Sequence, residues 1–314
     1  MSIIFNDLII ENIEILYEYE VISGNNFKAA AYKKFLTNIK ETDVEIKSIE
    51  DVKTIDGAGK SILDKISELI KTNKLQAVEE LLKDPKYVLG KQLLNIYGIG
   101  PAKIKELLES ISSIDELKLE KNKHLLNDKQ QIGLKYYDDL LERIPIAEAK
   151  KHNTIIKKAL NKIDKNIEFE MVGSFRRKQK TTGDIDVLIK YDEKFNLKNF
   201  LDSLTSNGYI LETLASGKNK FMGICKLNDK LPARRLDILV SNENNYYFAL
   251  LYFTGSYKFN ICMRNIALSQ NLSLSEYGFK DNKTKVLIDT SDVIKNEKDI
   301  FKYLKINYVE PERR

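Results

Sequence analysis

The chain has 314 residues, with 51 Lys and Arg against 46 Asp and Glu, which gives a formal charge of +5. Hydrophobic residues make up 43% and charged residues 31%, a balance that is typical of globular proteins and too apolar for disorder. The two cysteines exclude a disulfide framework, and the two histidines exclude an HExxH zinc helix. No long apolar run or signal-like segment is present, so we expect a soluble intracellular protein.

The first half of the chain is predicted to be helical. Apolar residues recur there at helical spacing in segments 8–19, 27–39, 62–70, 77–82, 104–108 and 131–141. Asp84-Pro85 and Ile144-Pro145 interrupt this pattern, because the residue before a proline avoids helical geometry. We therefore expect subdomain boundaries near both prolines.

From about Phe169 the spacing of apolar residues changes to two, which predicts strands. The strand segments are 169–172, 184–189, 221–227 and 235–240. The fold class is thus α+β, with a helical N-terminal half joined to a C-terminal half that contains a sheet.

Two short glycine motifs repeat in the helical half. IDGAGK at 55–60 and IYGIGP at 96–101 share the pattern apolar-x-Gly-apolar-Gly, and a helical segment follows each. One copy would be equally consistent with an ordinary turn. Two copies with lysines nearby indicate helix-hairpin-helix motifs, whose bare turns let backbone N–H groups approach the phosphates of DNA. The expected DNA contacts here are Gly57, Gly59, Lys60, Gly98 and Gly100.

Three aspartates mark candidate chemistry in the second half. Asp184 and Asp186 lie two residues apart at the start of a strand and therefore share a face, and Asp237 lies in another apolar strand. Three clustered carboxylates suit a two-metal site for Mg²⁺ or Mn²⁺. A lone Asp-x-Asp is usually a solvated edge or turn, but here GSFRR at 173–177 supplies a hydroxyl and guanidinium groups suited to a triphosphate. This combination is the nucleotidyltransferase signature.

From about residue 25 to its last residues, the chain resembles the family X DNA polymerases, the family of DNA polymerase beta. The resemblance is carried by collinear segments at 57–66, 97–101, 132–145, 172–188, 221–225, 234–238, 251–260 (LYFTGSYKFN), 263–264 and 299–311. It implies a helical deoxyribose-phosphate lyase-like domain over 1–82 and a helical DNA-binding subdomain over 83–145, with one hairpin motif each. A nucleotidyltransferase-type catalytic palm would follow over 146–243, and an α+β nucleotide-selection subdomain over 244–314.

The implied activity is template-directed, gap-filling DNA synthesis in base-excision repair. By resemblance, Asp184, Asp186 and Asp237 would hold two metal ions, with Asp237 acting on the primer 3′-hydroxyl. Residues expected to contact the incoming deoxynucleoside triphosphate are Arg143, Ser174, Arg177 and Gly183 at the phosphates, Tyr252, Phe253 and Gly255 at the sugar, and Tyr257 and Asn260 at the base. Lys220, Arg235 and Arg264 are expected to contact DNA.

The resemblance also implies a second reaction and a second class of ion. Lys65 aligns with the lyase lysine, whose amine would form a Schiff base with a sugar aldehyde and release the 5′-phosphate by β-elimination. The hairpin carbonyls of Ile55, Ala58, Ile96 and Ile99 would hold Na⁺ or K⁺.

Several positions depart from the family pattern. The lyase phosphate pocket has Ser23, Phe27 and Ser61 where the family has Lys, Tyr and Lys, and Leu239 replaces an arginine two residues after the third acid. Tyr257 replaces an acid beside the nucleotide base. The connection at 228–233 is short, which favours template-directed synthesis, because template-independent members carry a long loop there.

Two alternatives stay open: a template-independent nucleotidyltransferase and a noncatalytic gap-binding scaffold. The expected partners are gapped or nicked DNA and deoxynucleoside triphosphates, with no membrane, and DNA ligase is a candidate protein partner of a monomer. The compartment would be the nucleus for a cellular eukaryotic protein, or the host cytoplasm for a viral one.

A run of lysines is interpreted as a solvated face: Lys150, Lys151, Lys157, Lys158, Lys162 and Lys165.

Overall fold

The computed structural model describes residues 4–191 and 195–314. The chain divides into two compact units, the first ending at Tyr137 and the second beginning at Asp138. Among the residues described, no helix combines the length and the apolar character needed to cross a membrane. The expected α+β fold class is confirmed. The expected division into four domains stays a prediction.

The first unit is helical. Its helices are α1 (Asn6–Ile22), α2 (Asn26–Glu41), α3 (Ile49–Lys53), α4 (Lys60–Thr72), α5 (Gln76–Leu81), α6 (Pro85–Leu94), α7 (Pro101–Ser110), α8 (Ile114–Leu117), a 3₁₀ helix (Glu120–Leu125) and α9 (Asp128–Lys135). One apolar cluster packs α1 to α5 together, and a second packs α6 to α9. Asp84 caps the first turn of α6 through a hydrogen bond to the Lys86 N–H, so Asp84-Pro85 begins a helix.

The helix predicted over 131–141 is in fact two helices. Tyr136 has φ −105° and ψ 16°, which ends α9, and α10 (Tyr137–Leu141) follows. The backbone at Tyr136 breaks the helix, although the apolar spacing continues across it.

The second unit surrounds a five-stranded sheet. Its elements are β1 (Ile144–Pro145), α11 (Ile146–Ile163), β2 (Phe169–Met171), α12 (Gly173–Arg176), β3 (Thr181–Thr182), β4 (Ile185–Tyr191), α13 (Leu197–Ser206), β5 (Ile210–Ser216), β6 (Lys220–Cys225), β7 (Arg234–Asn242), α14 (Tyr246–Thr254), α15 (Tyr257–Ser269), β8 (Leu272–Ser275), β9 (Gly278–Asp281), α16 (Glu297–Tyr303) and a 3₁₀ helix (Pro311–Arg313). The strand order is β2-β4-β7-β6-β5, with β4 and β7 parallel. These two parallel strands carry Asp186 and Asp237, and Asp184 directly precedes β4.

The two faces of the sheet are covered by different helices. Val187 and Ile238 belong to the cluster that packs against α11 and α13, whereas Leu188 packs against α14 on the other face. Because side chains alternate along a strand, Asp186 and Asp237 lie on the α14 side. The α11 side is thus a packed core, and the other side remains available for chemistry.

A buried ion pair fixes the start of β7 against α11. Arg234 is 3% exposed, and its guanidinium donates to both carboxylate oxygens of Glu148 at 2.7 and 3.1 Å. It also donates to the Glu142 carbonyl at 3.1 Å. One buried side chain therefore holds both the start of β7 and the chain segment that leads into Arg143.

Arg234→Met should lower the free energy of unfolding by about 3–5 kcal/mol, because it leaves the Glu148 carboxylate buried without a partner. Urea unfolding followed by circular dichroism measures this change. The double variant Glu148→Met/Arg234→Met removes both charges and should recover most of the loss. A double variant that is less stable than the single one would contradict this account.

Candidate active site

The three aspartates meet at one edge of the sheet. Asp186 and Asp237 are directly paired across the parallel strands β4 and β7, and Asp184 lies immediately before β4. One carboxylate oxygen from each lies within 4.8 Å of the other two. The strand register thus brings together residues that are 51 positions apart.

Arg235 partly balances this negative charge. Its guanidinium donates to Asp184 at 2.6 Å and to Asp237 at 3.1 Å. Burial raises the pKa of Asp237, an effect that Arg235 opposes and Asp184 reinforces. Burial and then the neighbouring Asp184 and Asp237 raise the pKa of Asp186 well above its usual value. The cluster is therefore short of positive charge, although Arg235 lies beside it.

The donor set fits a hard divalent cation. All three groups are carboxylates, and the buried Oδ1 of Asp237 has no hydrogen-bond partner. A buried carboxylate oxygen normally accepts a hydrogen bond or binds a metal. Oxygen ligands without His or Cys match Mg²⁺ and Mn²⁺ better than softer metals.

Gly173 gives Asp186 its space. It has φ +58°, and a Cβ at this position would lie 2.1 Å from Asp186 Oδ2. Only glycine satisfies both the backbone conformation and the contact. The glycine of the GSFRR motif thus has a defined role at the carboxylates.

Polar groups for an anion surround the start of β4. Arg143 donates to the Thr181 carbonyl at 3.0 Å, and a Cβ on Gly183 would lie 3.1 Å from its guanidinium. The hydroxyls of Ser174 and Thr182 share a hydrogen bond of 2.6 Å. Thr182, which sequence analysis did not single out, also donates to the Asp184 carbonyl at 2.9 Å and orients this turn.

Adjacent arginines of the GSFRR motif converge on the end of α14. Arg177 donates to the Thr254 carbonyl, and Arg176 donates to the Thr254 hydroxyl at 2.7 Å. Arg176 also forms a bidentate pair with Glu297 of α16, at 3.0 and 3.1 Å. Sequence analysis expected both guanidinium groups of GSFRR at a triphosphate, but that of Arg176 is held by Thr254, Glu297 and Glu170 instead.

Helices α14 and α15 supply an aromatic wall. The rings of Tyr252 and Phe253 are 5.0 Å apart and nearly perpendicular, and Asn260 donates to the Tyr252 carbonyl at 2.8 Å. The Arg264 guanidinium lies 5.2 Å from the Tyr252 ring. Tyr257 is 73% exposed and leaves its ring free for a ligand.

These groups line one cleft of about 810 Å³. Its lining includes all the residues predicted to contact the nucleotide, together with two of the aspartates and two further arginines: Arg143, Gly173, Ser174, Arg177, Gly183, Asp184, Asp186, Arg235, Tyr252, Phe253, Gly255, Ser256, Tyr257, Asn260, Ile261 and Arg264. Lys220 lies near Asp237 and acts to lower the pKa of that carboxyl. The cleft therefore joins carboxylates, guanidinium groups and aromatic rings.

Lys65 lies in a separate pocket of about 670 Å³ in the first unit. Its ammonium donates to the Ser61 hydroxyl at 3.0 Å, and Phe27, 86% exposed, lies at the rim. Charged groups of both signs line the pocket: Lys28, Lys65, Glu20, Glu80 and Asp84. Lys53, a further lysine of the first unit, pairs with Glu50 at 2.7 Å and does not line this pocket.

The two hairpins have matching turns. Gly57 and Gly98 have φ +89° and +81°, and the Ile55 and Ile96 carbonyls accept hydrogen bonds from Ala58 at 3.2 Å and Ile99 at 3.1 Å. Gly59 and Gly100 then cap α4 and α7. The repeat in sequence is therefore a repeat in structure, and each turn leads into a helix N-terminus that favours anions.

Gly173→Ala should weaken Mn²⁺ binding about tenfold or more, because the new methyl group displaces the Asp186 carboxylate. Isothermal titration with Mn²⁺ measures this without any requirement for activity. Gly208→Ala is the matched control, since Gly208 has φ +72° but no atom within 4 Å of the added Cβ. Equal Mn²⁺ affinities in the two variants would contradict the proposed contact.

Comparison with protein-family models matches most of the chain. The models are a helix-hairpin-helix domain at 5–75, the fingers domain of DNA polymerase lambda at 91–141, the DNA polymerase beta palm at 143–243 and the DNA polymerase beta thumb at 249–314. The carboxylates and the arginine turn lie within the palm match, and most of the aromatic wall lies within the thumb match.

Curated relatives have the same family character. The chain is 30% identical to rat (Rattus norvegicus) DNA polymerase lambda over 99% of its own length and 56% of that protein. It is 26% identical to Arabidopsis thaliana DNA polymerase lambda, covering 93% of the chain and 58% of that protein. It is 25% identical to Xenopus laevis DNA nucleotidylexotransferase, covering 98% and 68%. The chain thus spans a little more than half the length of the two polymerase lambda relatives, and it belongs to the family X DNA polymerases of the DNA polymerase beta type.

Proposed function

We propose that this chain is a template-directed DNA polymerase that fills short gaps in base-excision repair. The observation that carries the proposal is the placement of three aspartates beside a cleft lined by arginines and aromatic rings. A nucleoside triphosphate has the matching chemistry, with an anionic end and a planar base. The names of the polymerase lambda relatives support the same reaction.

Asp184, Asp186 and Asp237 would hold Mg²⁺ or Mn²⁺. When bound, such ions lower the barrier to phosphoryl transfer by neutralising charge on the reacting oxygens. The carboxylates of this chain orient that site, and Arg235 offsets part of their repulsion. Asp237, whose buried Oδ1 has no hydrogen-bond partner within the protein, would accept the primer hydroxyl proton.

Other residues of the cleft position the nucleotide. Arg143, Ser174 and Arg177 bind the triphosphate, while Tyr252 and Phe253 pack against the sugar. Such reactions depend on positioning and electrostatics and need no covalent protein intermediate. Gly255, with φ +64°, lets the backbone between α14 and α15 approach the sugar closely.

Template use is part of the proposal. β6 ends at Cys225 and β7 begins at Arg234, so the connection is only residues 226–233. Its Ala233 N–H donates to Asp139 at 2.8 Å, which ties the connection to α10. Because the Xenopus relative is named a nucleotidylexotransferase, template-independent addition is the alternative. Nucleotide incorporation opposite each of the four template bases separates the two: template-directed synthesis requires the complementary nucleotide.

The hairpins would hold DNA on both sides of the gap. Gly57, Gly59 and Lys60 would contact one stretch of backbone and Gly98 and Gly100 another, with Na⁺ or K⁺ at the carbonyls of Ile55, Ala58, Ile96 and Ile99. The division at 82/83, 145/146 and 243/244 into four domains belongs to the same proposal, as do a monomeric state and a DNA ligase partner.

Asp237→Ala should abolish Mg²⁺-dependent extension of a primer in a one-nucleotide gap while binding to the gapped DNA persists. Gel-based extension and fluorescence anisotropy measure the two properties separately. Asp229→Ala, an exposed acid in the 226–233 connection, is the control and should extend normally. Extension by the Asp237 variant would refute the assignment, and a chain without activity in any form would favour the noncatalytic scaffold.

A lyase reaction at Lys65 is the second part of the proposal. The amine opens into the pocket of the first unit, which would hold the sugar, and the Ser61 hydroxyl accepts one of its hydrogen bonds. Lys28 is the other basic group of that lining and would receive the 5′-phosphate. The substrate aldehyde would form a Schiff base with Lys65, releasing water, and β-elimination would then expel the phosphate.

Borohydride should trap a covalent adduct between the chain and an abasic 5′-end, and Lys65→Ala should remove it. Lys71→Ala, on the exposed side of the same helix, should trap as the unaltered chain does. Denaturing electrophoresis with labelled DNA measures the adduct. Unchanged trapping by the Lys65 variant, or none by the unaltered chain, would overturn the lyase proposal and leave the polymerase proposal intact.

A further inference from the structure

The outer face of α11 is a continuous basic surface outside the candidate site. Six exposed lysines define what we call the α11 lysine face: Lys150, Lys151, Lys157, Lys158, Lys162 and Lys165. At about 100° per residue, the five of these lysines that lie within α11 fall within an arc of about 140°, and Lys165 follows just beyond the end of the helix. The buried residues His152, Ile156 and Leu160 lie on the opposite side of the helix and pack toward the sheet. The helix is therefore held in place with its lysines turned outward.

No acid on the helix balances these charges. The one acidic residue of α11 is Glu148, and its carboxylate is buried against Arg234. Among the described residues, none of the six lysine ammonium groups takes part in an ion pair. Elsewhere lysines do find acids, as Lys34 does with Asp56 and Lys302 does with Asp299, both at 3.0 Å.

The repulsion within the face is thus uncompensated. Lys158 and Lys162 are four residues apart and lie side by side on the helix, an arrangement that is unfavourable for like charges. A solvated face accounts for the exposure of these lysines and does not account for the absence of acids.

The composition of the face points to a phosphate backbone. Thr154 and Asn161 lie among the lysines and supply hydrogen-bonding groups, and no aromatic ring lies there on which an unpaired base could stack. Protein interfaces usually have an apolar centre, which this face lacks. From Lys150 to Lys162 the helix rises about 18 Å, which matches several successive phosphates of a duplex.

We propose that the α11 lysine face binds the backbone of duplex DNA outside the catalytic cleft, without sequence preference. Val187 and Ile238 turn toward α11, while Asp186 and Asp237 turn to the other face of the sheet, so the two DNA-binding surfaces lie on opposite sides of β4 and β7. A duplex bound to α11 would therefore be a second DNA molecule, or a part of the same DNA molecule that lies far from the gap. The face would keep the protein on DNA between encounters with gaps.

The test uses the full chain with its cleft already saturated by a short gapped hairpin DNA. A labelled, ungapped duplex of about 30 base pairs is then titrated, and anisotropy is recorded over a range of salt concentrations. The test variant replaces four lysines of the face: Lys151→Gln, Lys157→Gln, Lys158→Gln and Lys162→Gln. The control variant has the same change in net charge at ion-paired lysines: Lys47→Gln, Lys74→Gln, Lys123→Gln and Lys302→Gln.

The unaltered chain should bind the second duplex, and the test variant should bind it at least about tenfold more weakly, with a salt slope smaller by about 0.9 for each lysine that contacts a phosphate. The control variant should stay within about twofold of the unaltered chain. Three results would overturn the proposal: no second duplex bound, an unchanged test variant, or an equal loss in the control. Primer extension on the short hairpin is scored separately, so failure of the proposed polymerase reaction would be visible on its own.

Discussion

Mutual repulsion among three carboxylates is the constraint around which the second unit is built. The parallel pairing of β4 with β7 places Asp186 opposite Asp237, and burial makes their charges costly. Arg235 offsets part of this cost by donating to two of the acids, and Gly173, which has no Cβ, leaves room for the third, Asp186. A site that is strained without cations is well suited to bind them, because the ions remove the repulsion that the protein otherwise tolerates.

The two faces of the five-stranded sheet have different roles, one in stability and the other in the candidate site. The α11 side is apolar and closed, and the ion pair of Arg234 with Glu148 anchors it. The α14 side has a smaller apolar cluster around Leu188 and, next to it, the polar cleft that holds the carboxylates. Adjacent residues of β7 therefore have different tasks: Arg234 points into the core and stabilises the strand, and Arg235 points to the site and balances its charge. The period of two in the strand makes this division possible.

The main parts of the site could be predicted from the sequence, because the i, i+2 aspartates, the glycine motifs and the family resemblance are local signals. Other features of the fold have no such local signal. β5 was missed because register shifts interrupt its alternation, and α14 because YYFALLYFT is apolar around its whole circumference and has no polar side to define a period. The contacts of Arg235 with Asp184 and of Arg176 with Glu297 were not predictable, because they join chain segments that are far apart in sequence.

The convergence of Arg176 and Arg177 on Thr254 would couple two parts of the proposed nucleotide site. One arginine holds the hydroxyl of this threonine and the other its carbonyl, while Arg176 continues to Glu297. Thr254 directly precedes Gly255, so the segment that would approach the sugar is tied to the turn that would approach the phosphates. A nucleotide that seats its phosphates poorly would therefore also meet a displaced sugar pocket, and discrimination at one end of the substrate would reinforce discrimination at the other.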